Sequence, residues 1–201
     1  VVMNNSWGYN TSEIDEEIAL KNANGWTSTE TWANRFIGST SSSSVLLAAA
    51  YIAALDDFQN NGVIVFSNSN CGTPYAGTST CGGGAASDNA EITAALPELF
   101  PELAEAFISA VNVEIAGGAG SETYSLISAP CGDAGKYCMG GDGYNLGTLY
   151  GGSDFLYRYG GSGTSYVAPQ ISAAIAILAE AFPNMTPEQW VDRLLASANN
   201  N

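Results

Sequence analysis

Gly160-Gly161-Ser162-Gly163-Thr164-Ser165 runs without interruption into Tyr166-Val167-Ala168-Pro169 and on to Phe182. Glycine at this density makes a turn that is tight or lies close to other backbone. From Tyr166 to Ala179 there is no charged residue and alanine recurs. This pattern predicts a helix over Tyr166–Phe182 that is buried all round, with neighbours packed close. Pro169 falls in the first turn of that helix, where a missing N–H has no partner to lose, and Pro183 ends it. Thr186-Pro187-Glu188-Gln189 then supplies an N-cap with proline at the first helical position, opening an amphipathic helix to about Ala198.

Upstream, Val63–Phe66 is a continuous apolar run, the mark of a strand buried on both faces in a parallel sheet. It follows a helix predicted over Val45–Gln59, with Asp56 and Asp57 near its end and Gly62 as its stop. Helix, glycine and buried strand in that order make half of a βαβ unit. Val1–Met3, Phe107–Ile115 and Tyr124–Ala129 add three more strands, so the fold class is α/β with a mainly parallel sheet. Residues 9–44 are polar and rich in Ser, Thr and Asn, and predict a surface excursion with one helical turn near Ile14–Leu20. Residues 67–90 read as a long loop, and the two prolines within Leu96–Leu103 rule out one continuous helix there. Residues 139–163 hold nine glycines and predict a loop.

The 201 residues are 46% hydrophobic and only 12% charged, enough apolar material for the core of one domain. Five basic against 20 acidic residues leave a net charge of −15, which argues against nucleic acid or an anionic membrane as partner. The longest apolar runs, Val45–Leu55 and Ile171–Ala179, fall short of the ~20 residues that cross a bilayer. Val1-Val2-Met3-Asn4-Asn5 has neither the basic nor the apolar region of a signal peptide, and the chain reads as the middle of something longer. There is no histidine, so these residues cannot supply the base of a Ser–His or Cys–His pair.

The four cysteines form two close pairs, Cys71/Cys81 and Cys131/Cys138. Neither is a C-x-x-C and no histidine accompanies them, which disfavours zinc. Of the three possible pairings the local ones are simplest, with free buried thiols as the alternative, and disulfides would place the protein outside the cytosol. Gly140-Gly141-Asp142-Gly143-Tyr144-Asn145 offers oxygens to calcium, but a solvated turn is the stronger reading and no metal site is assigned. Asp15-Glu16-Glu17 and Asp56-Asp57 read as solvated surface. Asn4, Asn10 and Asn184 each open a glycosylation sequon, which carries weight only in a eukaryotic secretory context.

Ser165 stands behind a glycine-rich turn at the start of the uncharged helix. A helix N-terminus favours developing negative charge, and a backbone N–H there can stabilise an oxyanion. A serine N-cap is the plain alternative. The elbow G-x-S-x-G is not matched, because Thr164 sits two residues after Ser162.

Gly163-Thr164-Ser165-Tyr166-Val167-Ala168-Pro169 resembles the nucleophile motif Gly-Thr-Ser-x-x-x-Pro of the subtilases, the subtilisin-like serine proteases. Val63–Asn70 resembles the family's buried strand ending in the oxyanion asparagine, here Asn70. Asn5-Ser6-Trp7-Gly8 resembles its substrate-binding strand, whose backbone pairs with the peptide. The proline-rich Leu96–Leu103, Tyr124–Pro130, Cys131 and Cys138 are most similar to subtilase passenger domains of bacterial autotransporters. The resemblance implies a three-layer α/β/α domain, of which this chain is the C-terminal two-thirds with 9–44 and 71–90 as insertions or loops. It implies a secreted or surface-bound endopeptidase with Ser165 as nucleophile, Asn70 as oxyanion donor, Ser6, Trp7 and Gly8 at the substrate, a polypeptide partner and no cofactor. Subtilases draw an Asp and a His from segments preceding the strand matched by Val1–Met3, so the N-terminal strands are expected to be missing and this polypeptide alone to be inactive. A pseudoprotease or peptide-binding surface module with the same fold is the alternative, and a structural passenger segment in which Ser165 merely caps a helix is a third.

Overall fold

The computed structural model describes residues 1–144, 146–150 and 153–198. Val2–Asn5 (β1), Val63–Ser67 (β2), Phe107–Ala116 (β3) and Cys138–Asp142 (β5) lie parallel, in the order β1-β2-β3-β5. Thr123–Leu126 (β4) runs antiparallel against the far end of β3. Every residue of β2 is buried, as its unbroken apolar run requires of a strand covered on both faces.

Alternate residues of the strands serve two cores. Ile64, Phe66 and Phe107 face a cluster with Ile14–Asn24 (α1), Ser28–Ile37 (α2), Ser42–Gln59 (α3) and Leu96–Leu99 (α4). Val63, Val65, Ile108 and Ala110 face a second cluster with Thr164–Ala181 (α5) and Pro187–Ser197 (α6). The result is the expected α/β/α sandwich with a mostly parallel, mixed sheet. The Thr186 hydroxyl accepts from Gln189 N–H while the Gln189 side chain accepts from Thr186 N–H, a reciprocal cap that starts α6.

Five local expectations need correction. Glu17, read as solvated surface, is 1% exposed and pairs with Arg35 of α2. Residues 9–44 are not a surface excursion with one turn but two full helices, and Trp32 and Ala33 of α2 are completely buried. Trp32 stacks on Phe36 at 5.1 Å and on Tyr51 of α3 at 5.9 Å. A few aromatics thus anchor a segment whose composition is otherwise polar. Helix α5 is buried on one side only: Val167, Ala168, Ile171, Ile175 and Ala179 face the sheet, while Ala173, Ala176 and Ile177 are exposed. It forms an outer layer, and alanine without charge does not tell which side faces water. The same helix begins at Thr164, so Pro169 lies in its second turn and removes the N–H that would bond to Ser165 C=O. Finally, the glycine-rich 139–163 contains β5 and a hairpin of Leu146–Tyr150 (β6) with Ser153–Gly161 (β7). Asn145, the last residue of the calcium reading, lies outside the described residues.

Candidate active site

The C-terminal ends of β1 and β2 and the N-terminus of α5 converge, the place where open parallel sheets bind ligands. Beyond β2 the chain is held in detail. Asn68, buried, accepts from Ser69 and Glu91 N–H and donates to Pro130 C=O at 2.9 Å. Ser69 Oγ donates to Asn10 C=O at 2.9 Å, and Asn10 Oδ1 accepts from Asn70 N–H at 3.2 Å. Cys71, next in line, pairs with Cys81, and Cys131 pairs with Cys138.

Asn70 Oδ1 accepts the Thr164 N–H at 2.9 Å and lies 3.1 Å from the Thr164 hydroxyl, which itself donates to Asn68 C=O at 2.6 Å. A backbone N–H can only face an acceptor, so this bond fixes the amide with its oxygen toward Thr164 and its Nδ2 donors away from it. Among the described residues no hydrogen bond uses Asn70 Nδ2 or the Ser165 N–H, one of the orphan donors of the first turn of α5. An added Cβ on Gly163 would lie 3.2 Å from Asn70 Oδ1. The glycine ahead of Thr164 therefore permits this close approach.

Ser165 is half-buried, and its Oγ donates to Ser6 C=O at 3.2 Å. Ser6 Oγ returns a bond to the Ser165 carbonyl at 3.3 Å, the carbonyl that Pro169 leaves without its helical partner. Asn4 Nδ2 donates to Ser6 Oγ at 3.0 Å, and Ser172 Oγ donates to Asn4 Oδ1 at 3.2 Å. Trp7 is 42% exposed and sits edge-on to Phe66 at 5.5 Å and tilted against Phe36 at 6.3 Å. Gly8 lies on Glu91: an added Cβ would come 2.5 Å from Glu91 Oε1.

The structure thus brings Ser165, Asn70 and Ser6 together, sets Trp7 and Gly8 beside them, and starts the Cys71–Cys81 loop right behind Asn70. Thr164, Asn68, Asn10 and Glu91 escaped the sequence reading. Thr164 stands inside the quoted Gly-Thr-Ser block, and Glu91 is a lone acid at the head of the apolar Glu91–Leu96. Burial holds the Glu91 carboxyl up to about 7, against hydrogen bonds from Thr93, Tyr9 and Ala94 that pull it down. Among the described residues, no group of three or more acidic or cysteine side chains could hold a metal. Asp142 Oδ1 is engaged by Tyr144 N–H at 3.2 Å.

A mostly parallel α/β/α sandwich with a serine at a helix N-terminus and an asparagine amide aimed at it from beyond the neighbouring strand end defines a class of hydrolase-like domain. The model of the Subtilase family (peptidase S8) matches residues 1–201, and the chain belongs to that family. Serotype-specific antigen 1 of Mannheimia haemolytica is 36% identical over 112 residues, which are 53% of this chain and 11% of the antigen. A chain from the structure of the subtilase cytotoxin SubAB assembly matches all of this chain and 51% of its own length, at 18% identity and a TM-score of 0.58. Sphericase matches 85% of this chain and 53% of its own length, at 17% identity and a TM-score of 0.50. The chain therefore spans about half of these solved relatives and a small part of the antigen. At such identities the structures speak for the fold alone.

Proposed function

We propose that this chain is the nucleophile-bearing part of a serine endopeptidase, the C-terminal two-thirds of its catalytic domain. Ser165 Oγ attacks the scissile carbonyl. Its proton passes to a base outside these residues and from there to the leaving amine. The tetrahedral oxyanion is held by the Ser165 N–H and Asn70 Nδ2, the kind of preorganised donors that carry much of the barrier reduction in acyl transfer. Water then hydrolyses the ester on Ser165. Ser6, Trp7 and Gly8 pair with the extended polypeptide by strand addition.

The observation that carries the reading is the pair of unclaimed donors beside Ser165, one fixed by Thr164 and the other by the start of α5. The Asp and His of the triad lie outside the 201 residues, which contain no histidine, and these residues alone are inactive. Two disulfides support an oxidising compartment. Together with the likeness to Serotype-specific antigen 1, they support a secreted or bacterial cell-surface protein, including an autotransporter passenger. A charge of −15 supports polypeptide rather than nucleic acid as the partner.

The second reading, a peptide-binding module without catalysis, is favoured by the Ser165 hydroxyl, which donates to the Ser6 carbonyl and not to a base. The test is hydrolysis of fluorescein-casein by the product of the complete reading frame, by the same product with Ser165→Ala, and by the 201 residues alone. The protease reading expects activity in the first only. Hydrolysis that survives Ser165→Ala removes the nucleophile assignment. An inactive wild-type product that still binds casein leaves the binding module standing.

A further inference from the structure

Glu91 is 1% exposed, its side chain is not part of the proposed chemistry, and its carboxylate is fully engaged. Oε2 accepts the Tyr9 N–H at 3.1 Å and the Thr93 N–H at 3.1 Å. Oε1 accepts the Ala94 N–H at 3.1 Å and the Thr93 hydroxyl. Four donors saturate a carboxylate's lone pairs, so this acid is not aimed at a substrate or a metal. Three of the donors belong to its own turn. The fourth, Tyr9, belongs to the segment leaving β1, one residue beyond Ser6-Trp7-Gly8. The carboxylate also lies against Gly8, where any side chain would displace it. Gly8 is therefore a glycine because Glu91 lies against it.

We propose that Glu91 is the positioning residue of the peptide-binding segment, a buried carboxyl that ties Tyr9 to the Glu91–Ala94 turn and holds Ser6–Gly8 in the place where a polypeptide substrate pairs. The inference rests on the protease reading for the identity of the ligand and on hydrogen-bond geometry for the clamp. Ser6 is fixed by the reciprocal Ser6–Ser165 bonds and Asn10 by its bonds with Ser69 and Asn70, so Glu91 supplies the hold at Tyr9 and Gly8, between those two anchors. The charged and titratable groups around the clamp are Tyr9 itself, which also faces Arg35 of α2 and Glu17 of α1, and Glu13 and Asp88, which meet beside the Glu13–Glu91 backbone bridge. When protonated, Glu91 donates to the Thr93 hydroxyl and still accepts from Tyr9. Burial pushes the carboxyl up to about 7, while the Tyr9, Thr93 and Ala94 N–H groups pull it down and so bind the ionised form more strongly; the bond to Tyr9 therefore tightens as pH rises from 4.5 toward about 7.

The test has two arms. Amide exchange on the complete reading-frame product follows the protection of Tyr9 against that of Ile64–Phe66. Steady-state cleavage of fluorescein-casein by the complete reading-frame product separates KM from kcat. Glu91→Ala is expected to lower Tyr9 protection at least tenfold with β2 unchanged, and to raise KM about tenfold with kcat within threefold. Glu91→Gln, which keeps an oxygen for Tyr9, is expected to recover most of both. Wild-type Tyr9 protection, taken relative to Ile64–Phe66, rises between pH 4.5 and about 7 relative to Glu91→Gln, whose profile is flat. If Glu91→Ala does not fold, that pH comparison decides. Identical profiles, unchanged Tyr9 protection, or a fall in kcat with KM constant each overturn the proposal. Exchange needs no proteolysis, so an inactive wild-type product defeats the protease reading while the clamp is judged by the first arm alone.

Discussion

Asn70 offers the sharpest separation of chemistry from structure, because its two amide atoms do different jobs. Oδ1 anchors the Thr164 N–H and stands beside its hydroxyl, while Nδ2 is unclaimed. Asn70→Asp keeps an oxygen for Thr164 and replaces the donor with a second oxygen carrying negative charge. The fold loses nothing at Thr164, and an anion at the start of α5 is favoured by about 0.3–1 kcal/mol. Hydrolysis, by contrast, loses one oxyanion donor, worth about 10²–10³ in kcat, or roughly 3–4 kcal/mol, and the added charge deepens that loss. Asn70→Ala removes both functions. It leaves the N–H of Thr164, a residue with no exposed surface, without its acceptor, at about 1–3 kcal/mol. For a chain of this size each kcal/mol moves Tm by about 2–4 °C. Tm is read by circular dichroism, and kcat by casein hydrolysis, both with the complete reading-frame product. If Asn70→Asp cleaves within threefold of wild type, the donor role of Nδ2 is refuted. If Asn70→Ala keeps the wild-type Tm, the Thr164 anchor is refuted.

Four further outcomes follow from the same structure. Trp32→Ala empties a fully buried site between Phe36 and Tyr51 and is expected to cost about 3–5 kcal/mol in urea unfolding; a loss under about 1 kcal/mol means α2 is not part of the core. Because burial holds the Glu91 carboxyl up from 4.5 to about 7, the folded state keeps a proton that the unfolded chain releases. Its contribution is therefore present below pH 4.5 and is lost as pH rises to about 7, on the order of 3 kcal/mol relative to Glu91→Gln at ~1.4 kcal/mol per unit. A difference between the two proteins that is constant across that window contradicts the assignment. Intact mass with and without reductant differs by about four hydrogens if both cysteine pairs are closed. Cys71→Ser, opening a loop with a sequence separation of 10, lowers stability by roughly 2–3 kcal/mol.

Much of the architecture is legible before any coordinates. Val63–Phe66 announces a strand of a doubly covered sheet because such strands are apolar on both faces and its run is too short for a helix between Gly62 and the polar residues after it. Thr186-Pro187-Glu188-Gln189 announces α6 because capping is local chemistry. The order of Asn5–Gly8, Val63–Asn70 and Gly163–Pro169 carries the family. Long-range pairing is what the sequence leaves open. Polar residues 9–44 hide Trp32, whose burial depends on Phe36 and on Tyr51 of a different helix. The uncharged α5 says nothing of which side meets the sheet, since alanine suits water and core alike. Asn70 is only an asparagine after a strand until Thr164, ninety-four residues on, turns its amide. Gly8 and Glu91, eighty-three residues apart, explain each other only when folded together: a buried carboxyl needs donors that local sequence does not display, and only the tertiary structure delivers them.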